Sequence, residues 1–337
     1  MRAIVYRSAG GPEVLRLVDD RPVPEPGPGE VRVRIAVSGV NPTDWKSRSG
    51  TDPDGEQVPN QDGAGTVDAV GDGAPFRIGD RVWVWDAAYR RPDGTAQEFV
   101  VLPARQVVRL PDTASFDLGA ALGIPALTAH LALTADLPAR ALGPGVLDGR
   151  SVLVAGGAGA VGHAAIELAV WAGARVLTTV SSPEKAALAS AAGASDVIDY
   201  RREDVAARIH GLVPDGVDLV VEVNPHANAA LDAEVLRPGG TVVVYATDRP
   251  EPMRLDVRPS MTKNLVWRFL LTYTVPHDAK DAAVAGVAAA VRAGALRIGE
   301  EAGLPVVRFP LERTAEAHRA VEDGTTGKIL IDVAAPS

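Results

Sequence analysis

Three glycines, Gly157, Gly159 and Gly162, fall at the spacing G-x-G-x-x-G. They lie between a short apolar run, Ser151-Val152-Leu153-Val154-Ala155, and an apolar stretch that begins His163-Ala164-Ala165-Ile166. Strand, glycine turn and helix in that order are what a dinucleotide fingerprint requires. Gly157 is expected to permit the tight turn, Gly159 to let the backbone approach a pyrophosphate, and Gly162 to let helix and strand pack closely. Ala160 and Val161 would offer N–H groups of the helix N-terminus to the phosphates. Glycine also serves tight turns for steric reasons alone, so the flanking elements carry the inference.

The next apolar run, 174–180, ends in Ser181-Ser182. An NAD site places an Asp or Glu about 20 residues past the glycines, on the ribose 2′-hydroxyl. Here that place holds Ser181 and no carboxylate. Ser182 reads as a helix N-cap, Pro183 as the first helical residue and Gly193 as the stop, which puts Lys185 in the first turn. Tyr200 and Arg201 follow the third strand. Hydroxyls, a lysine and an arginine suit a 2′-phosphate, so the expected cofactor is NADPH. Solvated surface charge is the alternative for Lys185 and Arg201, and Glu184 works against the electrostatic case.

Composition bounds the rest. A chain of 337 residues, 46% hydrophobic and 23% charged, can form two cored domains. A net charge of −9 without a basic cluster argues against nucleic acid. The apolar runs are too short to span a bilayer, and residues 1–6 read as a strand start, not a signal peptide, so a cytoplasmic location is expected. The chain has no cysteine, which excludes disulfides, a thiol nucleophile and Cys-ligated zinc. His130, His163, His210, His226, His277 and His318 show no ligand spacing, and none is assigned to a metal.

The elements that must position these residues follow from periodicity and turn signals. Strands are expected at 2–7, 14–18, 31–40, 63–70, 80–85 and 96–101, with a stiff proline-rich connector at 21–29. Residues 116–135 are Ala- and Leu-rich and are expected to be helical. A βαβ series then runs from 151 to 246, with strands at 151–155, 174–180, 195–199, 217–223 and 241–246. A further strand at 265–275, helices at 279–293 and 314–322, the latter capped by Thr314, and a closing strand at 328–333 complete the chain. The fold class is α/β.

Several motifs together resemble the medium-chain dehydrogenase/reductases, and among them the zinc-free quinone oxidoreductase (zeta-crystallin-like) branch. They are Ser38-Gly39-Val40-Asn41-Pro42-Thr43-Asp44, Asp62-Gly63-Ala64-Gly65, Ile78-Gly79-Asp80-Arg81-Val82, Leu127-Thr128-Ala129-His130, the glycine turn, and Ala317-His318 with Gly327-Lys328-Ile329-Leu330. The resemblance covers nearly the whole chain. It implies a GroES-like β-domain (1–123 and 277–337), a doubly wound parallel Rossmann sheet that binds NADPH (124–276), and an active site in the cleft between them. The zinc alcohol dehydrogenases of the superfamily place Cys near position 41 and a His-Glu pair before Gly-Ala-Gly; this chain has Asn41 and Gln61-Asp62, and lacks the four-cysteine lobe. Without a Lewis acid, hydride is expected to go to an already electrophilic acceptor, a quinone or an α,β-unsaturated carbonyl. A dedicated biosynthetic enoyl or enone reductase is the second reading. A non-catalytic NADPH-binding regulator or structural protein is the third. Lys46 stands where the quinone-reductase pattern often has tyrosine.

The resemblance also implies roles. Asn41 would lie beside the nicotinamide, and Asn41-Pro42 also makes a good helix entry. Thr128 would place a hydroxyl near the nicotinamide, or is an ordinary helix residue. Tyr200 would stack or bond near the adenine phosphate. Tyr245 and Ala246 fall at the carboxyl edge of the sheet, where a cofactor lies. Lys328 would reach the cofactor, with a solvated lysine as the alternative. Asp44, Lys46 and Tyr89 are candidate proton donors because their segments should line the cleft, where no carboxylate pair is evident. Trp45, Trp83, Trp85 and Tyr89 would wall a flat-acceptor pocket or fill the β-domain core. The apolar strand at 265–275 is expected to pair with its two-fold mate in a homodimer.

Overall fold

Alternation sets the first strands. Val31, Val33, Ile35 and Val37 bury one face of the long strand they share, and Val82 and Val84 do the same two strands away. The computed structural model describes residues 1–247 and 252–333. In chain order the first unit, Met1–Ile124, holds β1 (Ala3–Val5), β2 (Arg16–Val18), β3 (Glu30–Val40), α1 (Pro42–Gly50), β4 (Asp62–Val70), β5 (Arg81–Val84), β6 (Phe99–Pro103), β7 (Val107–Arg109) and α2 (Phe116–Gly119). β1 and β2 form an antiparallel pair of their own.

The region expected to be helical over 116–135 is helical in three pieces. After α2 comes one wide π-helical turn, Leu122–Ala126, and only then α3 (Leu127–Leu133). Pro125 inside that turn has no N–H to give and its ring crowds the preceding carbonyls. The N–H of Ile124 is diverted to the Asp62 carboxylate.

The second unit, Pro125–Leu304, contains β8 (Ser151–Ala155), α4 (Ala160–Trp171), β9 (Arg175–Val180), α5 (Pro183–Ala191), β10 (Asp196–Asp199), α6 (Val205–Leu212), β11 (Val217–Glu222), α7 (Pro225–Val235), β12 (Leu236–Val244), α8 (Val257–Thr262), β13 (Val266–Phe269) and α9 (His277–Arg292). Its six strands are all parallel, in the order β10-β9-β8-β11-β12-β13. The order reverses between β8 and β11, the switch point at which doubly wound sheets bind ligands beyond their strand ends. The strand expected over 265–275 is confined to β13, four residues long. The expected boundary at 277 also differs: α9 packs on α3 and belongs to this unit, because Ala283, Val287 and Ala290 give it a buried apolar face.

From Pro305 the chain rejoins the first unit with β14 (Val306–Pro310), α10 (Thr314–Glu322) and β15 (Lys328–Asp332). β15 runs parallel to β14 and antiparallel to β3, giving a seven-stranded order β14-β15-β3-β4-β5-β7, with β6 paired to the other half of β3. Thr314 is the first residue of α10 rather than its cap; its hydroxyl donates back to the Leu311 carbonyl at 2.7 Å.

Candidate active site

The glycine turn follows β8 directly. The left-handed residue is Gly156, at φ +71°, so the tight turn expected of Gly157 rests one residue earlier. Gly157 is required for a different reason: a Cβ there would lie 2.2 Å from the Thr178 hydroxyl, which β9 presents to the Val154 carbonyl at 2.7 Å. Gly162 behaves as expected, since a Cβ would stand 2.3 Å from the Gly156 carbonyl. Gly159 caps α4 in extended geometry, and a Cβ there would meet its nearest atom only at 3.4 Å. The turn is therefore closed on its protein side and open at Gly159. Ala160 and Val161 follow, half-buried, at the helix N-terminus.

At the end of β9, Ser182 accepts the Lys185 N–H at 3.3 Å, Pro183 opens α5, and Gly193 closes it at φ +104°. Ser181, Ser182 and Lys185 are half-buried, and Tyr200 is exposed beyond β10. Arg202 lies 3.5 Å from Asp199, whose carboxylate also accepts the Arg201 N–H at 3.0 Å. Thr128 is buried in α3. Tyr245 and Ala246, half-buried, follow β12, where the Tyr245 N–H donates to the Glu222 carbonyl at 3.1 Å.

Glu222, which ends β11, is a residue that sequence reasoning did not single out. It is fully buried, as is Asp232 of α7. Burial pushes both carboxyls up, and their mutual repulsion holds the proton on Asp232, well above the ordinary carboxylate range.

A buried polar group forms in the first unit. Asn41 caps α1, and the Asp44 carboxylate returns to accept its N–H at 2.7 Å and that of Gln61 at 3.1 Å. The Asn41 side chain donates through Nδ2 to Asp62 at 2.7 Å, while its Oδ1 accepts from the Lys328 ammonium at 2.7 Å. Lys328 also donates to the Val40 carbonyl at 3.2 Å. Asp62 accepts the Ile124 N–H, and its backbone carbonyl accepts the Thr95 hydroxyl at 2.6 Å. Behind it runs a one-way chain: His318 Nε2 donates to Asn60 Oδ1, Asn60 Nδ2 to the Ser38 hydroxyl, and Ser38 bonds Thr95.

The solvated alternative for Lys328 and the absence of a carboxylate pair both fail here. Lys328 is not solvated: it is 1% exposed, because β15 occupies the interior of its sheet. And a carboxylate pair does exist. Burial and the Asp62 charge push Asp44 up to about 8; burial pushes Asp62 up to about 6 against the pull of Lys328. Near neutral pH the pair carries one negative charge beside one ammonium. Lys46, by contrast, is exposed, 5.8 Å from the Trp45 ring, and Tyr89 is half-buried with the Arg90 guanidinium 5.3 Å from its ring. Neither is enclosed as the other four are. Trp83 and Trp85 are core residues, 0% and 3% exposed.

Residues 27–112 match the family described as Alcohol dehydrogenase GroES-like domain, and residues 160–289 the family described as Zinc-binding dehydrogenase. The quinone oxidoreductase of Mus musculus is 34% identical over 352 residues, covering 98% of this chain and 97% of its own length. The chain belongs to the medium-chain dehydrogenase/reductase family. Its fold is the GroES-like domain plus Rossmann-type sheet of that family. A structure described as an NAD-dependent alcohol dehydrogenase superposes with a TM-score of 0.85 at 29% identity, covering 99% of this chain and 100% of that one. A mycobacterial protein complexed with NADPH superposes at 0.82 and 30%, covering 98% and 99%.

The family description names zinc, and the residues of this reductase do not fit it. Asn41, Gln61 and Asp62 supply one carboxylate and two neutral amides, and the Lys328 ammonium already sits on the Asn41 oxygen. Among the described residues no three His, Cys, Asp or Glu side chains gather to hold a metal. Amide oxygens beside a cation are poor zinc ligands. The glycine turn, in contrast, fits a nicotinamide dinucleotide: two glycines leave no space for Cβ and a third leaves an open face at a helix N-terminus.

Proposed function

We propose that this chain is an NADPH-dependent reductase that transfers hydride to a quinone or an α,β-unsaturated carbonyl, without a metal. The observation that carries the reading is the glycine turn, sterically sealed at Gly157 and Gly162 and open at Gly159, in a chain of this family. Gly157, Gly159, Ala160 and Val161 would hold the pyrophosphate through backbone N–H groups. Ser181, Ser182, Lys185 and Tyr200 would hold the adenosine ribose and its 2′-phosphate, with Ser181 standing where an NAD site has its ribose-binding carboxylate. Gly162, Thr128, Tyr245 and Ala246, with Asn41 and Lys328, complete the expected cofactor contacts.

NADPH, when bound, supplies the hydride. Asn41 supplies orientation: its amide is fixed at both ends, and one Nδ2 hydrogen remains for the reacting partner. An acceptor activated by its own carbonyl conjugation yields an oxyanion that water can protonate, so no dedicated acid is needed. Simple alcohols and ketones, which need a Lewis acid, are not substrates on this reading.

The reading includes a homodimer. β13 is the edge of its sheet, and Val266, Phe269 and Leu271 are 44%, 66% and 56% exposed on and beside it. Pairing with a second copy would bury that edge.

The test is NADPH oxidation across a panel of quinones and enones, with NADH as a parallel donor. Turnover of quinones or enones with NADPH preferred supports the reading. Binding without turnover of any acceptor turns it toward a non-catalytic cofactor-binding protein, and NADH preference overturns the 2′-phosphate argument.

A further inference from the structure

We propose that the Lys328 ammonium is the resident cation of the Asn41 site, a positioning residue that fixes the Asn41 amide with its nitrogen toward Asp62; only its kinetic arm rests on the reductase reading.

The cost of burial makes the case. A lysine placed in a sheet interior loses the hydration of its ammonium, a cost that falls on any buried ion unless other groups replace it. Lys328 is almost wholly enclosed, and its partners are specific: Asn41 Oδ1 at 2.7 Å and the Val40 carbonyl at 3.2 Å. The stem is packed as tightly, for a Cβ on Gly39 would fall 3.2 Å from its Cε. Nothing about the strand requires a cation there, because β15 pairs with β14 and β3 through its backbone.

What the cation does can be read from Asn41. Its oxygen faces an ammonium and its nitrogen faces a carboxylate. Turning the amide over would set oxygen against Asp62 and NH₂ against Lys328, two repulsive contacts in place of two attractive ones. An uncharged partner at 328 would remove half of that discrimination. Burial lowers the Lys328 pKa, and the charges of Asp62 from β4 and Asp44 from α1 raise it; Asp86 after β5 acts on Asp62, and Tyr6, itself beside Arg48, acts with Asp44. An ammonium also explains why the donor set and the zinc of the family description disagree. It gives the site a positive charge but no vacant coordination position, so it can orient a neighbour and cannot take a substrate oxygen as a ligand.

The test uses Lys328→Met, which keeps the stem and removes the charge, Asp62→Asn, and the double variant, all in the full chain. Unfolding midpoints of the cofactor-free proteins are read first. Each single variant is expected to lower the midpoint, and the double variant to lower it by less than the sum, since it leaves no charge unpaired. Additive losses overturn the proposal. If Lys328→Met does not fold, a folded double variant upholds it, and an unfolded double beside a folded Asp62→Asn overturns it. If none of the three folds, zinc titrated into the wild-type chain decides: no uptake upholds a resident ammonium, and stoichiometric uptake overturns it. In the kinetic arm, Lys328→Met is expected to lower kcat by about tenfold or more, the scale seen when the support of a site residue is lost, with little change in the KM for NADPH. The acid limb of its kcat profile should move to higher pH, because Asp62 loses the charge that opposes its protonation. An unmoved limb with an intact kcat overturns the positioning role. A wild-type chain that turns over no acceptor overturns the reductase reading instead, and the unfolding and zinc arms still decide this one.

Discussion

Asp44 is one of several buried groups that set the pH response of the molecule. Its folded-state pKa, about 8, lies above the ordinary 3.8, so the folded chain holds a proton there that the unfolded chain has released. The stability it contributes is present at acid pH and is lost as pH rises through about 8. Asp232, also raised, adds to the same trend. His130 and His318 act in the opposite sense: burial holds them to about 4 and about 3, so below the ordinary 6.5 the unfolded state takes up protons that the folded state refuses. As pH approaches about 8 both histidines are largely neutral in either state while the Asp44 carboxyl is losing its proton, and the unfolding midpoint should fall. Asp44→Asn should flatten that decline; an equally steep decline in the variant would show that Asp44 is not its source. Lys185 makes a second residue-level prediction. Lys185→Ala should weaken NADPH by about 1–2 kcal/mol, the scale of a charge-assisted hydrogen bond, and leave NADH affinity unchanged. Equal weakening of both, read by calorimetry, would remove the 2′-phosphate contact.

Among the elements, the β8-turn-α4 unit separates its three glycines by mechanism. Gly162→Ala forces a Cβ against the Gly156 carbonyl and should abolish cofactor binding along with a measurable loss of stability. Gly159→Ala meets nothing closer than 3.4 Å, so the cofactor-free protein should keep its stability within about 0.5 kcal/mol while NADPH affinity drops. A drop in stability at Gly159 equal to that at Gly162 would refute the open-face reading. This unit was legible in the sequence because its signal is local: strand, turn and helix lie within about 20 residues of one another. The parallel strands, the Asn41-Pro42 helix entry and the Ser182 cap were legible for the same reason. The Asn41 centre was not. Its members sit at positions 41, 44, 62 and 328, brought together by the pairing of β15 with β3 and β3 with β4. Propensity reads a lysine as solvated, and nothing local reverses that. The breaks within the helical region at 116–135 were not legible because the lost N–H of Ile124 is repaid by Asp62, a partner from another element.

At the scale of the whole molecule, the exposed edge at β13 predicts association. Light scattering at micromolar concentration should give the mass of a dimer, and a charged substitution such as Phe269→Glu should shift it to the monomer. A monomeric wild-type chain would remove that proposal. The order in which the residues are joined brings a different consequence. The unit from Pro125 to Leu304 is contiguous, and every strand of its sheet is available before residue 305 is added. The unit that holds Asn41 is not: β3 lacks its partner over Val37–Val40 until β15 is made. On a ribosome, the part that is second along the chain can therefore close first, with the N-terminal strands held as an open sheet until Lys328 emerges. Arrested nascent chains should show protease protection of residues 125–304 before that of residues 30–70. Until Lys328 is made, Asp44 and Asp62 lack the cation that makes them one buried charge.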